Sequence, residues 1–441
     1  MVLDYLAQYT YKSQSLGWTL PAFSWFIDQT IGGAVSTATH GSSMEWGSLS
    51  TQLRSIRMVL ADGSERTFSR ADNEHLFRAA AVSVGRLGVI SEVELAIVPQ
   101  TQVTKSVIAQ PWEAFVEDLL MVEREFNSAV SSGDSAAQSR ALAKLDETQL
   151  FWSVPDASVW RMDFKHDDKT PASAKPYAVQ AASGSPTELY TSAQQSSSAD
   201  SSSYVYHQLP SYPADSIAFM SDMPMTWASF FNTAIQPYVQ SGTYDRKNAF
   251  ISQSEFTTRN NNFAAYDQYE VAIPLSKAGT CLQGLSHKMY KEEALWKGFR
   301  SQPLIRFLSS EDLYLSPANG RPTMFINLED YVTKATKPEG RNPEFEEVMK
   351  FFRYNCDARL HWGKAGWPQY ASCFDGAQEY QEQWCHFGCA VNQLDPTSKF
   401  APETNLWQWH ATKGGQAVDF ASCCDSSGFK SECQCVSRTD C

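Results

Sequence analysis

QTIGGAVSTATHGSS, residues 29–43, is the most informative stretch of the chain. Its small side chains let the backbone approach a ligand closely and aim successive N–H groups at it. The Ser and Thr hydroxyls add donors. The stretch is not a P-loop, because no G-K-[ST] closes it. Nor is it G-x-G-x-x-G, so a Rossmann reading is poor. On composition alone it is equally a polar loop without a ligand.

The residues around it predict a compact α+β unit over 48–99. Ile56, Met58 and Leu60 keep a two-residue period, Asp62-Gly63 is a turn signal, and Thr67-Phe68 resumes the strand: a hairpin. Asp72 is the expected N-cap of a helix over 74–84, with Leu76, Phe77, Ala80 and Val84 on one face and Gly85 as the stop. Val89, Val93, Leu95 and Ile97 alternate with Glu92 and Glu94 in a strand that ends at Pro99. Leu3, Leu6 and Ala7 have helical spacing. Further on, helices are predicted over 112–126, 136–150, 282–290 and 342–355, and strands over 269–274, 304–308 and 323–328. Residues 181–203 are a low-complexity, solvated or disordered excursion.

The whole chain has 441 residues, 43% of them apolar and 13% aromatic, enough for two or three domains with a large core. With 36 basic and 49 acidic residues its formal net charge is −13, and it has no basic cluster. That excludes nucleic acid as a partner and disfavours an anionic membrane surface. No apolar run is long enough to span a bilayer, and no signal peptide is visible at residue 1. Of the ten cysteines, eight lie in 373–441: Cys373, Cys385, Cys389, Cys423, Cys424, Cys433, Cys435 and Cys441. A dense, even cluster reads as a disulfide framework made in an oxidising compartment. Zinc is the weaker reading, since Cys385-x3-Cys389 is loosely spaced and no C-x2-C pair exists.

QTIGGAVSTATHGSS, followed by ADGS and by GRLGVISEVELAIVP, resembles the FAD-binding domain of vanillyl-alcohol-oxidase-type flavoproteins, and within them the sugar-lactone oxidases. Two distant anchors support this. RLHWGK, residues 359–364, is similar to the family's R-P-H-W-G-K. RFLSSEDLYLSP, residues 306–317, is similar to the strand that carries its Glu-x-Arg and L-S-P. The resemblance covers about residues 1–365. Cys433, Cys435 and Cys441 also resemble the short Cys-rich end of plant gulonolactone-oxidase-like proteins. The implied fold class is α+β: a vanillyl-alcohol-oxidase-type FAD-binding domain, incomplete at its N-terminus, plus a substrate (cap) domain with an antiparallel sheet and flanking helices. The implied boundaries are 1–99 for the FAD-binding part, 100–355 for the substrate domain, 356–372 for the HWGK segment returning to the flavin, and 373–441 for the Cys-rich tail.

The resemblance assigns Arg306 and Lys364 to catalysis. Arg306 would orient the substrate and stabilise developing negative charge; Lys364 would do the same and could relay a proton. It assigns Thr30, Gly33, Thr37, Thr39, His40, Gly41, Ser42, Ser43, Gly88, Ile90 and His361 to the cofactor, FAD, with no metal. Two departures stand out. Ala38 replaces a family glycine, and Leu304 stands where the family has the Glu of Glu-x-Arg. The Gly-rich pyrophosphate loop of the family is not matched in 1–28, so weak FAD binding, or none, is expected. The implied activity is oxidation of an aldono-1,4-lactone (gulono-, galactono- or arabinono-lactone) or related polyol, by hydride transfer to FAD and then electron transfer to O2 with release of H2O2. The resemblance implies a place in ascorbate-type biosynthesis. The alternative is a non-catalytic or truncated paralogue that keeps the fold as a secreted binding protein. The expected location is the secretory pathway or outside the cell, with peripheral membrane association allowed.

Overall fold

A computed structural model describes residues 2–8, 17–24, 29–171, 241–249, 266–299, 302–331, 343–364, 374–404 and 406–438. The low-complexity stretch 181–203 lies outside them, as do Cys373 and Cys441.

The chain opens with helix α1 (Val2–Gln8), which buries Leu3, and strand β1 (Trp18–Thr19). Residues 29–43 form a short helix, α2 (Ile31–Ser36), and a turn back. The Thr30 hydroxyl caps α2 by accepting the Gly33 amide at 3.2 Å. The helix cannot continue because Ala38 adopts φ = 56°.

The expected β-β-α-β order follows: β2 (Leu53–Val59), β3 (Glu65–Ser69), α3 (Arg70–Ala80) and β4 (Val89–Leu95), with β2 in the middle of an antiparallel sheet. Ile56, Met58 and Phe68 pack against Leu76 and Phe77. Helix α3 starts four residues earlier than expected. Ser69, not Asp72, is the cap, its hydroxyl accepting the Asp72 amide at 3.2 Å. It also ends earlier, before left-handed backbone at Val84 and Gly85.

β5 (Val98–Pro99) pairs with β1. The rest builds one large sheet with helices between its strands: β6 (Thr101–Pro111), α4 (Trp112–Ser132), α5 (Ser135–Ala143), β7 (Thr148–Ser153), β8 (Ser158–Pro171), β9 (Gly242–Asp245), β10 (Tyr266–Pro274), α6 (Leu275–His287), β11 (Leu304–Leu308), β12 (Thr323–Tyr331), α7 (Pro343–Asn355) and β13 (Arg359–Leu360). The eight strands lie in the order β13-β10-β12-β11-β7-β8-β6-β9, antiparallel throughout. The helix expected over 136–150 ends at Ala143, and 148–153 is a strand buried at every position. A strand covered on both faces loses its alternation, so its apolar run is easily mistaken for helix.

One face of the sheet is covered by α4, α6 and α7. Phe115, Leu119, Leu282, Leu285 and Phe345 pack there on Tyr269, Val271, Ile273, Ile305, Phe307 and Ile326. The two-residue period of a strand therefore turns Gln268, Glu270, Arg306 and Asn327 to the other face, towards α2.

The tail adds α8 (Gly376–Tyr380), α9 (Glu382–Leu394), β14 (His410–Lys413), β15 (Gln416–Val418), β16 (Cys424–Asp425), β17 (Gly428–Phe429) and β18 (Cys433–Val436). Its cysteines form Cys385–Cys435, Cys389–Cys424 and Cys423–Cys433, which leaves these six no thiolate for zinc. A fourth bridge, Cys281–Cys356, joins α6 to the end of α7.

Candidate active site

The two sequence anchors meet at a cavity of about 360 Å³. One wall is Gln29, Thr30, Gly33, Ala34, Thr37, Thr39 and His40. The other is Gln268, Glu270, Leu304, Arg306, Asn327, His361, Gly363 and Lys364. Segment 361–364 returns to α2 as expected: a Cβ on Gly363 would stand 3.0 Å from the Thr37 hydroxyl.

The centre of the second wall is Glu270, which the sequence reading did not single out. It is 1% exposed. Arg306 donates one Nη to its carboxylate and the other to the His40 carbonyl at 2.8 Å. Lys364 Nζ lies 3.8 Å from the second carboxylate oxygen and donates to Gln268 Oε1 at 2.6 Å. Gln268 in turn donates to Asn327 Oδ1 at 3.2 Å. Burial disfavours charge on Glu270, but the Arg306 guanidinium and the Lys364 ammonium more than offset it and hold the carboxyl well below the usual range. The alternation Gln268-Tyr269-Glu270-Val271 was the available signal: a carboxylate among apolar partners on a predicted strand.

The two histidines are neutral for the same reasons. Burial pushes His361 down to about 3. Burial and the Arg306 guanidinium lower His40. His40, Glu270 and His361 offer donor atoms within 4.8 Å of one another. Arg306 already occupies the carboxylate, however, so the positive charge a metal would bring is supplied by the protein.

Arg306, Lys364, Thr30, Gly33, Thr37, Thr39, His40 and His361 are thus brought together. Gly41, Ser42, Ser43, Gly88 and Ile90 do not line the cavity. A Cβ on Gly41 would meet the Phe23 carbonyl at 2.3 Å. Ser42 Oγ donates to the Thr148 carbonyl and accepts the Phe307 amide at 2.9 Å, and Ser43 Oγ accepts the Trp46 amide at 3.1 Å. Gly88 packs on Val59, whose carbonyl would be 2.5 Å from an added Cβ. Ile90 packs against Gly32 of α2, its Cβ 3.9 Å from where a Cβ on that glycine would stand. These residues fasten the motif to its neighbours.

The cavity fits the ring end of a flavin. Gly33, Ala34 and Thr37 form a wall without bulk, opposite two cations. Arg306 Nε and Asn327 Nδ2 are buried donors with no hydrogen-bond partner among the described residues. Unpaired donors and cations suit a flat ring edged with acceptors that gains negative charge on reduction.

The sequence model described as D-arabinono-1,4-lactone oxidase matches residues 160–410. The chain belongs to this family. A second model, described as FAD binding domain, matches residues 5–69. The chain is similar to a Neurospora crassa protein named, provisionally, a D-arabinono-1,4-lactone oxidase: 25% identity, covering 89% of this chain and 68% of the relative. It is also similar to the L-gulono-1,4-lactone dehydrogenase of Mycobacterium tuberculosis: 24% identity, covering 84% of this chain and 72% of the relative. In fold it matches cholesterol oxidase from Brevibacterium sterolicum, with a TM-score of 0.56 at 14% identity over 88% of this chain and 76% of that one. The lactone-oxidase family membership and the α+β flavoprotein fold read from 29–43, 306–317 and 359–364 therefore stand.

Proposed function

We propose that the chain is an FAD-dependent oxidoreductase that oxidises a secondary hydroxyl of an aldono-1,4-lactone. The observation that carries this is the Lys364–Glu270–Arg306 cluster facing the small-residue wall of α2 across one cavity. Bound FAD supplies the hydride acceptor. Thr30, Gly33, Thr37 and Gly363 would lie along its ring, and Arg306 Nε and Asn327 Nδ2 offer it hydrogen bonds. Lys364 meets the negative charge that develops on the substrate oxygen, where a fixed cation lowers the barrier most. Gln268 and Asn327 present amides suited to a polyhydroxylated ligand. Glu270 keeps both cations in place, so the site holds a buried carboxylate although position 304 is a leucine. It weighs against the non-catalytic paralogue that Leu304 suggested.

Oxygen is the proposed electron acceptor, in keeping with the family name, and a gulono-, galactono- or arabinono-lactone the proposed substrate. An oxidising compartment of the secretory pathway suits the four disulfides. No described helix is long and apolar enough to cross a membrane. The test is anaerobic mixing of the FAD-loaded protein with each of the three lactones, followed by admission of oxygen. Bleaching of the flavin and one peroxide per turnover are expected. A flavin that stays oxidised with all three would overturn the substrate reading.

A further inference from the structure

His40 holds an unusual position in the site. Its Nδ1 lies 2.9 Å from the Gly41 carbonyl. A carbonyl only accepts, so Nδ1 carries the hydrogen and Nε2 the lone pair. Nε2 lies 3.3 Å from Glu270 Oε1 and has no hydrogen-bond partner among the described residues. Two acceptors thus face each other with no proton between them, in side chains 1% exposed. Such an orphaned pair is costly unless a proton arrives.

The groups around His40 explain why its Nε2 stays unprotonated. From β10 comes Glu270, which favours an imidazolium. From β11 comes Arg306, which opposes it and ties up the same carboxylate. From β12 comes Phe325, its ring centroid 3.9 Å away. Beyond β13 come neutral His361, at 5.4 Å between ring centroids, and Lys364. At neutral pH burial and Arg306 win, and the imidazole is uncharged.

We propose that His40 and Glu270 together are the proton acceptor of the alcohol oxidation, a role distinct from the charge stabilisation given to Lys364 and Arg306. The inference rests on the function proposed above. The balance is as follows. The substrate C–H bond breaks and its electron pair leaves with the hydrogen as hydride, taken by an oxidised flavin. The O–H bond breaks and C=O forms. The released proton makes an N–H bond at His40 Nε2, which then donates to Glu270. Both side chains line the cavity. Lys364 has two acceptors as neighbours, Gln268 and Glu270, which suits an ammonium that donates.

Two measurements test this. Protein labelled with [15N]histidine should show His40 as the Nδ1–H tautomer at pH 7, with Nε2 unprotonated and a protonation midpoint below that of a free imidazole. Nε2 found protonated at pH 7 would overturn the proposal, whatever the substrate. In single-turnover flavin reduction, His40→Asn keeps an amide donor for Gly41 and removes Nε2. It should slow reduction by about 10²- to 10⁴-fold, the usual worth of a general base, and abolish the acid limb of the pH profile. The apparent lactone affinity should be nearly unchanged, and Glu270→Gln should lose the same limb. A His40→Asn protein that keeps the wild-type rate and limb would remove the pair from the mechanism and leave lactone oxidation standing. Wild-type protein that reduces its flavin with none of the three lactones would strike the substrate reading instead. If His40→Asn does not fold, as judged by circular dichroism, the wild-type imidazole spectrum still decides.

Discussion

Leu304 and Glu270 lie in one row across the large sheet, each the direct antiparallel partner of Asn327. The family carboxylate is missing from β11, and a buried carboxylate stands in the same row two strands away, on β10. Arg306 bonds it from the adjoining row. Restoring a carboxylate at 304 therefore adds a second acid about 10 Å from the first, two inter-strand spacings. Leu304→Glu alone should lower the melting temperature without raising turnover, because a buried carboxylate without a cation is costly. Glu270→Gln should cost at least about 10²-fold in reduction rate. In that background Leu304→Glu should recover part of the loss. Higher turnover in Leu304→Glu alone would refute the substitution of one carboxylate for the other.

Lys364→Met should slow flavin reduction by about 10²- to 10³-fold and change lactone affinity much less. The ammonium meets a charge that is complete only as the hydride leaves. Stopped-flow reduction against lactone concentration separates the two effects. Equal losses in rate and affinity would assign Lys364 to binding alone.

The sequence was informative where motif and period agreed. The small-residue wall, Arg306 and Lys364 were legible because family spacing fixes them, and β2, β3 and β4 because alternation or turn chemistry marks them. Glu270 was missed because the position expected to hold the acid was Leu304, and cross-strand rows are invisible along a chain. The partners of Ser42 and Ser43 could not be read, because a motif does not say which hydroxyls its own neighbours consume. The strand 148–153 was misread as helix because it is buried on both faces.

Ala38 stands where the family has glycine, and the structure gives a reason for that glycine which needs no ligand: φ at this position is 56°. Left-handed backbone costs an L-residue about 1–2 kcal/mol, which glycine avoids. Burying the alanine methyl group returns about 0.8 kcal/mol. Ala38→Gly should therefore leave the melting temperature unchanged or slightly raised. Ala38→Val, β-branched at positive φ, should lower it markedly. Thermal unfolding of both variants settles the point, and a well-tolerated valine would contradict it.

His75 of α3 and His386 of α9 face each other between body and tail, ring centroids 6.1 Å apart. His75 Nδ1 is 3.0 Å from the Tyr314 hydroxyl, and His386 Nδ1 accepts the Phe429 amide at 3.0 Å. Burial, His386 and Arg78 bring His75 down to about 4. Burial and Arg78 lower His386. An unfolded histidine titrates near about 6.5. The folded values are lower, so this contribution to stability is whole above that pH and is lost as pH falls towards 4. The melting temperature should drop across that window, and the drop should shrink in His75→Asn. An unchanged pH dependence in the variant would show that His75 does not contribute.

Replacing Cys385 and Cys435 together by serine should lower stability by about 2–5 kcal/mol. Peptide mapping of the unreduced wild type should recover Cys423 and Cys424, neighbours in sequence, in two different bridges. A Cys423–Cys424 link would contradict the arrangement.

The strand that delivers Lys364 is two residues long and has little stiffness of its own. Arg359 donates to the Glu379 carbonyl at 2.9 Å. Trp362 stacks on Trp407 and Tyr380 with ring centroids 5.4 and 6.0 Å away. All three partners belong to the tail. The lysine is therefore aimed in part by a segment whose own shape is set by three sulfur–sulfur bonds. A preparation made in a reducing host would carry the right sequence, and even a bound flavin, while its lysine was held less firmly. A low specific activity from such material would measure the history of the sample, and thiol counting belongs beside every rate reported for this protein.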